Sequence, residues 1–168
     1  MQPLLINVVT LNVFVSRLKM GIAEDIKQEK FANEYSKAIV NIIYTNSWLN
    51  QKYLEVFKSM GLTTPQFNIL RILRGQHPNP ATVNLLIDRM LDKSSNASRI
   101  VDRLESKGLV IRKQCSNDRR AVDVLISDQG LDLLKQLDVE MERLENETRK
   151  LSEEECATLN TLLDKLRS

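Results

Sequence analysis

Hydrophobic residues recur every three or four positions along most of this 168-residue chain, which is the spacing that places them on one side of an α-helix. The spacing predicts a long helix over residues 22–59 and a second helix that begins within the stretch GLTTPQF (61–67). The stretch GQHPNP (75–80) predicts a loop, and a short helix is expected after it, over residues 82–91.

Short sequence signals indicate where several helices begin and end. Gly61 follows the first long helix, as expected of a residue that adopts a left-handed conformation after a helix. At the next helix we expect Thr64 to act as the cap and Pro65 to take the first helical position. Gly108 marks the end of a later helix, and Ser127 can cap another.

The middle of the chain combines a polar-faced helix with a β-hairpin. The helix over residues 94–107 places four apolar residues on one side, namely Ala97, Ile100, Val101 and Leu104. Residues 109–115 and 121–127 then alternate between apolar and polar, which predicts two strands on either side of the turn SNDRR.

Two helices complete the chain. The first, over residues 128–149, has the narrow apolar seam that is typical of helices packed on partner helices, formed by Leu134, Leu137, Met141 and Leu144. The second begins at a capping box of Ser152 and Glu155. Its leucine stripe predicts the side that it buries, formed by Leu159, Leu162, Leu163 and Leu166.

The order of these elements predicts a mainly α fold with a small β-hairpin wing. We expect a winged helix-turn-helix lobe at residues 61–130, flanked by long helices at 22–60 and 131–168 that carry more apolar surface than so small a lobe can cover. We expect residues 1–21 to be an N-terminal extension outside the domain at 22–168. The apolar run near the N-terminus is too short for a membrane span, and no basic residue precedes it.

Charge is distributed unevenly, although the net charge of the chain is only +2. Residues 91–120 carry eight Lys or Arg against four Asp or Glu, whereas residues 121–168 carry six against twelve. A local basic excess indicates a polyanionic partner, and a merely solvated surface is the alternative. Cys115 and Cys156 fit neither a metal site nor a disulfide spacing, so we expect free thiols in the reducing cytoplasm.

Two polar features of this basic region have the chemistry of a DNA contact. Small hydrogen-bonding residues and cations lie opposite the apolar stripe of the helix over 94–107, where they can meet base edges and phosphates of a major groove. In the turn, an arginine can enter a minor groove while Asp118 orients it. The alternatives are an ordinary polar helix face and a surface ion pair that contributes about 0–1 kcal/mol.

The chain resembles the MarR family of bacterial winged-helix transcription regulators in three stretches. These are GLTTPQFNILRIL (61–73), DKSSNASRIVDRLESKGLVIRK (92–113) and NDRRAVDVLISDQG (117–130), and the resemblance extends over residues 22–168. The chain departs from the family pattern at Ile126-Ser127, where Leu-Thr is usual, and in HPNPATVN, which replaces a polar helix entry. It also lacks the first-helix cysteine of the peroxide-sensing branch.

The resemblance implies a homodimer that binds double-stranded DNA and represses transcription from a pseudo-palindromic operator. The dimerisation helices would be those at 22–60 and 131–168. The recognition helix at 94–107 would lie in the major groove and the wing at 115–121 at the minor groove, with Arg120 inserted, Asp118 orienting it and Arg119 near a phosphate. The implied DNA-contacting residues are Thr64, Gln66, Ser94, Ser95, Asn96, Ser98, Arg99, Arg103, Asp118, Arg119 and Arg120. Arg103 would reach a phosphate, or pair with Asp102 or another acid nearby.

Other functions find less support in the sequence. His77 is the only histidine and has no catalytic partner near it in sequence, so no enzyme, cofactor or metal site is predicted. A winged helix used only for contacts with other proteins is the main alternative. The resemblance also implies a small-molecule effector in a cleft beside the first long helix, although the aromatic residues there are more simply core residues. They are Tyr44, Trp48, Tyr53 and Phe57.

Overall fold

The computed structural model describes residues 21–28, 30–114 and 122–168, and it is mainly helical with a small antiparallel sheet, which confirms the predicted fold class. In chain order the elements are α1 (Ile22–Asp25), α2 (Glu34–Ser59), α3 (Thr64–Gln76), β1 (Ala81–Thr82), α4 (Val83–Arg89), α5 (Ala97–Ser106), β2 (Val110–Gln114), β3 (Val122–Ile126), α6 (Asp128–Thr148) and α7 (Glu153–Arg167). The chain divides after Gln51 into two compact units.

The sheet contains one strand more than the sequence pattern predicts. Its strand order is β1-β3-β2, and β2 pairs with β3 in a register that runs from Val110 opposite Ile126 to Gln114 opposite Val122. The additional strand β1 pairs with β3, with Ala81 opposite Val124. A two-residue strand is too short to produce a visible alternation, so this part of the winged lobe was predicted as the start of a helix.

The hydrophobic core belongs to the second unit, where α3, α5 and α6 pack with the sheet and with the end of α2. Burial of each large apolar side chain stabilises the fold by about 1.5–3 kcal/mol. The largest fully buried side chains are Phe57, Ile69, Leu70, Leu73, Leu86, Val101, Leu104, Val124, Leu134 and Leu137. The predicted apolar stripe of α5 is confirmed, with Ile100 only partly buried.

The helix predicted over residues 22–59 is two helices, α1 and α2, separated by an irregular segment. Lys27 has a φ of 54°, which is a left-handed conformation that does not continue an α-helix. Asn33 then accepts a hydrogen bond from the backbone N–H of Ser36 at 2.9 Å, as the residue before a helix does. The apolar spacing hid this break because Phe31 and Tyr35 keep the helical interval across it.

Of the last two helices, only α6 buries its apolar side within this chain. The seam of α6 faces the core of its own chain, since Leu134 and Leu137 are fully buried there and Met141 packs against them. By contrast, α7 has no buried residue, and Leu162 and Leu166 are 58% and 55% exposed. The leucine stripe of α7 is therefore not buried within this chain.

The aromatic residues named as core candidates separate into two pairs. Phe57 is buried, lies parallel to Tyr53 with ring centroids 5.9 Å apart, and contacts the ring of Phe67 at 4.4 Å. Tyr44 and Trp48 are 40% and 42% exposed, so the core interpretation is wrong for those two in the isolated chain.

In the described part of the chain, no helix is both long and apolar enough to cross a membrane, the 26-residue α2 included.

Candidate nucleic-acid interface

The start of α3 is closed by a capping box that is shifted by one residue from the prediction. Thr63, not Thr64, is the cap: its side chain accepts from the backbone N–H of Gln66 at 3.4 Å, and Gln66 Oε1 accepts from the backbone N–H of Thr63 at 3.0 Å. Gln66 is only 4% exposed. Its carbonyl oxygen is therefore occupied in the fold, and Thr64 is a half-buried residue of the first turn.

The helix expected to be the recognition helix, α5, begins at Ala97, three residues later than predicted. Asn96 is its cap, since Asn96 Oδ1 accepts a hydrogen bond from the backbone N–H of Arg99 at 3.0 Å. Ser94 and Ser95, predicted to lie on the helix, belong to the turn before it. Serine side chains close to an aspartate often bond locally in this way, and such bonds compete with helix formation.

Asp92 organises that turn through three hydrogen bonds. Its carboxylate accepts from the Ser94 backbone N–H at 2.9 Å and from the hydroxyls of Ser94 and Ser95, each at 2.6 Å. The bond from the Ser94 hydroxyl, followed by those from the Ser95 hydroxyl and the Ser94 backbone, lowers the pKa of Asp92 below its ordinary value. Both hydroxyl protons point to Asp92, so these serines offer only lone pairs to an outside partner, which a phosphate repels.

Lys93 and Leu91 attach the same turn to the neighbouring helices. The Lys93 ammonium donates to the carbonyl of Ile87 at 3.0 Å and to that of Asp88, which satisfies the last carbonyls of α4. The backbone N–H of Leu91 donates to Asn68 Oδ1 of α3 at 3.0 Å. The turn before α5 is therefore held by bonds to α3, by bonds to α4 and by the bonds of Asp92 within the turn itself.

The exposed side of α5 carries the two arginines that the sequence singled out. Arg99 and Arg103 lie one turn apart, both are exposed, and within the described ranges neither forms an ion pair. Arg103 does not pair with Asp102, one of the partners predicted for it, because Asp102 is paired with Arg112. Ser98 is exposed beside them.

Arg112 on β2 is the functional residue that sequence reasoning did not identify. Its guanidinium bonds to the carboxylate of Asp102 and donates to the Ser98 carbonyl at 3.2 Å. Glu105 Oε2 lies 3.4 Å from its Nε, although that buried Nε–H makes no hydrogen bond. Arg112 thus joins the hairpin to α5 and neutralises acids of the recognition helix. The alternation of the predicted strands offered a signal for this role, because Arg112 lies opposite the buried Val124 and therefore on the inner side of the hairpin.

A groove of about 240 Å³ runs between the start of α3 and the exposed side of α5. It brings together two sets of residues that lie 29–40 positions apart in sequence, including several of the predicted DNA-contacting residues. Its lining is formed by Thr63, Pro65, Gln66, Ser95, Asn96, Arg99, Ile100 and Arg103. The predicted wing residues Asp118, Arg119 and Arg120, as well as Cys115, lie outside the described residues.

The base of the hairpin is fixed where α5 ends and α6 begins. The Ser127 hydroxyl donates to the Gly108 carbonyl at 2.7 Å and accepts from the backbone N–H of Gly130 at 3.0 Å. Gly108 has a φ of 71°, a left-handed conformation that favours glycine. The predicted roles of Ser127 as a cap and of Gly108 as a helix end are confirmed, and the Ser127 hydroxyl joins the residues that precede β2 and follow β3.

Comparison with known proteins places this geometry among transcription regulators. A family model described as the MarR family matches residues 62–122. The HTH-type transcriptional regulator PecS of Dickeya dadantii is 31% identical over 116 residues, which are 67% of this chain and 69% of the relative. The HTH-type transcriptional regulator MgrA of Staphylococcus aureus is 28% identical over 127 residues, which are 76% of this chain and 79% of that protein.

Two solved structures share both fold and sequence with the chain. A MarR transcription factor from Planctomyces limnophilus has a TM-score of 0.63 and 29% identity, covering 80% of this chain and 98% of that one. A mutant MarR from E. coli, complexed with operator DNA, has a TM-score of 0.65 and 29% identity, covering 74% and 89%.

Proposed function

Because the chain belongs to the MarR family of transcription regulators, we propose that it is a homodimeric repressor that binds a pseudo-palindromic operator in double-stranded DNA. Members of this family regulate transcription and are not enzymes, so the prediction that the chain is no enzyme is confirmed by its family. The proposed compartment is the cytoplasm. The proposed domain spans residues 22–168, with residues 1–21 as an extension.

The observation that carries the proposal is the pair of exposed arginines on α5 beside the groove. Arg99 and Arg103 are cations without an ion-pair partner in the described part of the chain, while Asp102 on the same helix is neutralised by Arg112. A helix that keeps its cations free and its acids paired presents a positive surface to phosphates. The mutant MarR from E. coli, which was solved in complex with operator DNA, supports DNA as the partner.

The exposed apolar faces of α2 and α7 support a second copy of the chain as partner. On α2, Tyr35 and Ile43 are 85% and 62% exposed, and α7 exposes its leucine stripe. Monomeric proteins rarely leave so many large apolar side chains in water. Since α6 turns its seam inward, we assign the dimer contacts to α2 and α7. In a dimer of this class the two recognition helices lie about 34–36 Å apart, one turn of DNA.

The wing contacts are proposed from the hairpin that leads to them. Strands β2 and β3 are paired over their full lengths and project from the anchored base at Ser127. We propose that the turn between them places Arg120 in a minor groove, with Asp118 orienting its guanidinium and Arg119 near a phosphate.

A salt titration of DNA binding distinguishes this function from a winged helix that only contacts proteins. We expect affinity for a selected operator to fall steeply with salt, by about 0.9 log units per log unit of salt for each phosphate neutralised. Arg103→Ala removes one phosphate contact and should therefore reduce the steepness of that dependence by about 0.9 log units per log unit of salt. Arg149→Ala, which removes an exposed arginine at the end of α6, is the matched control and should leave the slope unchanged. Binding that does not depend on salt contradicts the proposal.

A small-molecule effector is proposed for a cavity of about 640 Å³, which lies where α5 ends beside the first turns of α6. Lys107, the last residue before Gly108, lines it and bonds to the carbonyl of Gly61. A ligand there contacts both the end of the recognition helix and α6. Melting-temperature shifts with a panel of aromatic acids, compared between wild type and Leu133→Trp, test this site, because a filled cavity should abolish any shift.

A further inference from the structure

We propose that Arg99 is the residue that reads guanine in the operator, and that Asn96 and Asp102 are withheld from base reading by contacts within the protein. This inference rests on the proposed function, since it concerns which base the recognition helix selects. It follows from the hydrogen-bonding groups that α5 leaves free on its exposed side.

Apart from serine hydroxyls, the groups that α5 presents at its start are hydrogen-bond donors. Arg99 presents a guanidinium, which has five N–H donors and no acceptor. Asn96 has both an acceptor and two donors in principle, but its Oδ1 accepts from the Arg99 backbone at 3.0 Å. That bond directs the oxygen towards the backbone, so Asn96 does not present its oxygen and its N–H groups together to one base edge.

The acceptors that could read other bases have partners within the protein. Asp102 is bonded by the Arg112 guanidinium, and Glu105 lies 3.4 Å from the Nε of the same side chain. Gln66, which also lines the groove, has its Oε1 bonded to the backbone of Thr63 at 3.0 Å. The hydroxyls near this face can each make single contacts, but not the paired contacts by which side chains distinguish bases most strongly.

The major-groove pattern of each base decides which one fits. Guanine presents two acceptors, O6 and N7, which match a bidentate arginine. Adenine presents one acceptor and one donor, and therefore requires an amide with both of its groups free. Cytosine presents a donor and requires a free acceptor. With Asn96 engaged as a cap and Asp102 bonded to Arg112, guanine is the base that the start of α5 can recognise.

The position of Arg99 makes it the reader, and Arg103 a phosphate contact. Residues in the first turn of a recognition helix contact base edges, whereas later residues approach the DNA backbone. Arg99 lies in the first turn of α5 and lines the groove with Asn96. Arg103 is one turn further, about 6 Å along the helix axis.

The test combines random-site selection with a base analogue. Wild type, Arg99→Ala and Arg103→Ala are each selected against random duplexes, and their helical content and melting are compared to confirm folding. Binding to the selected operator is then measured with guanines replaced by 7-deazaguanine, which lacks the N7 acceptor. We expect this replacement to weaken wild type and Arg103→Ala by about 5- to 150-fold at one position in each half-site. It should not weaken Arg99→Ala further.

Two controls separate the alternatives. Inosine, which removes only the minor-groove amino group of guanine, should leave binding by α5 unchanged. Asn96→Ser keeps a capping oxygen but removes the amide, and should select the same bases as wild type. A different selected base for that variant, or an equal effect of 7-deazaguanine on wild type and Arg99→Ala, overturns the inference while the DNA-binding function stands. Failure of wild type to select any sequence overturns both.

Discussion

Gly130 lies where the first turn of α6 passes over the end of the α5–β2 connection, and the lack of a side chain permits this approach. A Cβ atom at this position would overlap the carbonyl oxygen of Leu109 and lie 2.8 Å from Ile126 Cγ1. Neither neighbour can move easily, since one is backbone and the other is a buried side chain at the base of the hairpin. The close packing at this position therefore explains why the motif that follows Ile126-Ser127 has a glycine at position 130.

We predict that Gly130→Ala lowers the free energy of unfolding by about 1–3 kcal/mol, because the added methyl group overpacks this contact. Gly75→Ala is the matched control. Gly75 lies in α3 with nothing within 4 Å of the added atom, so alanine there should raise stability by about 0.4–1 kcal/mol. Urea denaturation at one fixed protein concentration measures both. Equal effects of the two substitutions would refute the packing argument.

The turn before α5 should respond to acid through Asp92. Its pKa in the folded protein lies below the ordinary value of 3.8, chiefly because the Ser94 and Ser95 hydroxyls donate to the ionised carboxylate. The stabilisation is therefore fully present above pH 3.8 and is lost as the pH falls through the lowered pKa. We expect the difference in stability between wild type and Asp92→Asn to be constant from neutral pH to about pH 5 and to shrink below pH 3.8.

Denaturation series at several pH values check this, with Asp88→Asn on α4 as the charge-matched control. A difference that does not change between pH 7 and pH 3, or one that Asp88→Asn reproduces, would contradict the assignment to Asp92 and the two serines.

At single residues, the sequence predicted caps whose partners are close and unambiguous. Ser127 and the capping box of Ser152 with Glu155 are as predicted. At α3 the choice between two adjacent threonines was wrong, yet the spacing decides it, because a glutamine three residues later exists only for Thr63. Ser94 and Ser95 were placed on the helix because nothing in the apolar period shows that Asp92 engages their hydroxyls.

Among the secondary-structure elements, the contact of β2 with α5 is the one on which DNA binding should depend. Arg112 is the cation that joins them, and it pairs with Asp102 and approaches Glu105. When this side chain is removed, two acids on the recognition helix are left without their partner, and the strand loses its attachment to the Ser98 carbonyl.

We predict that Arg112→Ala weakens operator binding about tenfold or more, because a free carboxylate on α5 repels the phosphates of DNA. Adding Asp102→Asn to that variant should restore part of the affinity. Lys113→Ala removes the neighbouring exposed cation of β2 and is the control for net charge. Fluorescence anisotropy on labelled operator measures all four proteins. An equal loss for Lys113→Ala would show that overall charge, and not the pairing, is responsible.

Periodicity predicted the type and order of the long elements because each of them buries one side. It missed β1, which is too short to alternate, and the break between α1 and α2, which lies in backbone conformation at Lys27. The role of Arg112 was also missed, since its partners lie at least seven positions earlier and on another element. Such contacts depend on how the strand lies against the helix, and no local pattern reports that.

At the scale of the whole molecule, the chain leaves apolar surface that a second copy would cover. We predict that wild type behaves as a particle of about twice 19.3 kDa, and that Leu162→Lys shifts it towards the monomer and weakens operator binding in parallel. The reason is that a lysine ammonium must lose its hydration in an apolar interface. Thr161→Lys, on the other side of α7, is the control, and light scattering with size-exclusion chromatography is the measurement.

A dimer mass that is unchanged in Leu162→Lys would contradict the assignment of α7 to the interface. The sequence predicted that uncovered apolar surface exists, but it could not show which helix carries it. The apolar seams of α6 and α7 have similar spacing, and only tertiary packing shows that the seam of α6 is buried in the core of the same chain.

On α5, some polar side chains stabilise the fold and others are exposed, which affects how the DNA specificity of such regulators can change in evolution. Asn96 and Asp102 form hydrogen bonds within the fold, whereas Arg99 is exposed and its side chain forms no ion pair within the described residues. Substitutions at such surface positions usually change stability by no more than about 0.5 kcal/mol. With Arg99 as the proposed base reader, we expect that a duplicated copy can change its target sequence at position 99 while selection on folding preserves Asn96 and Asp102.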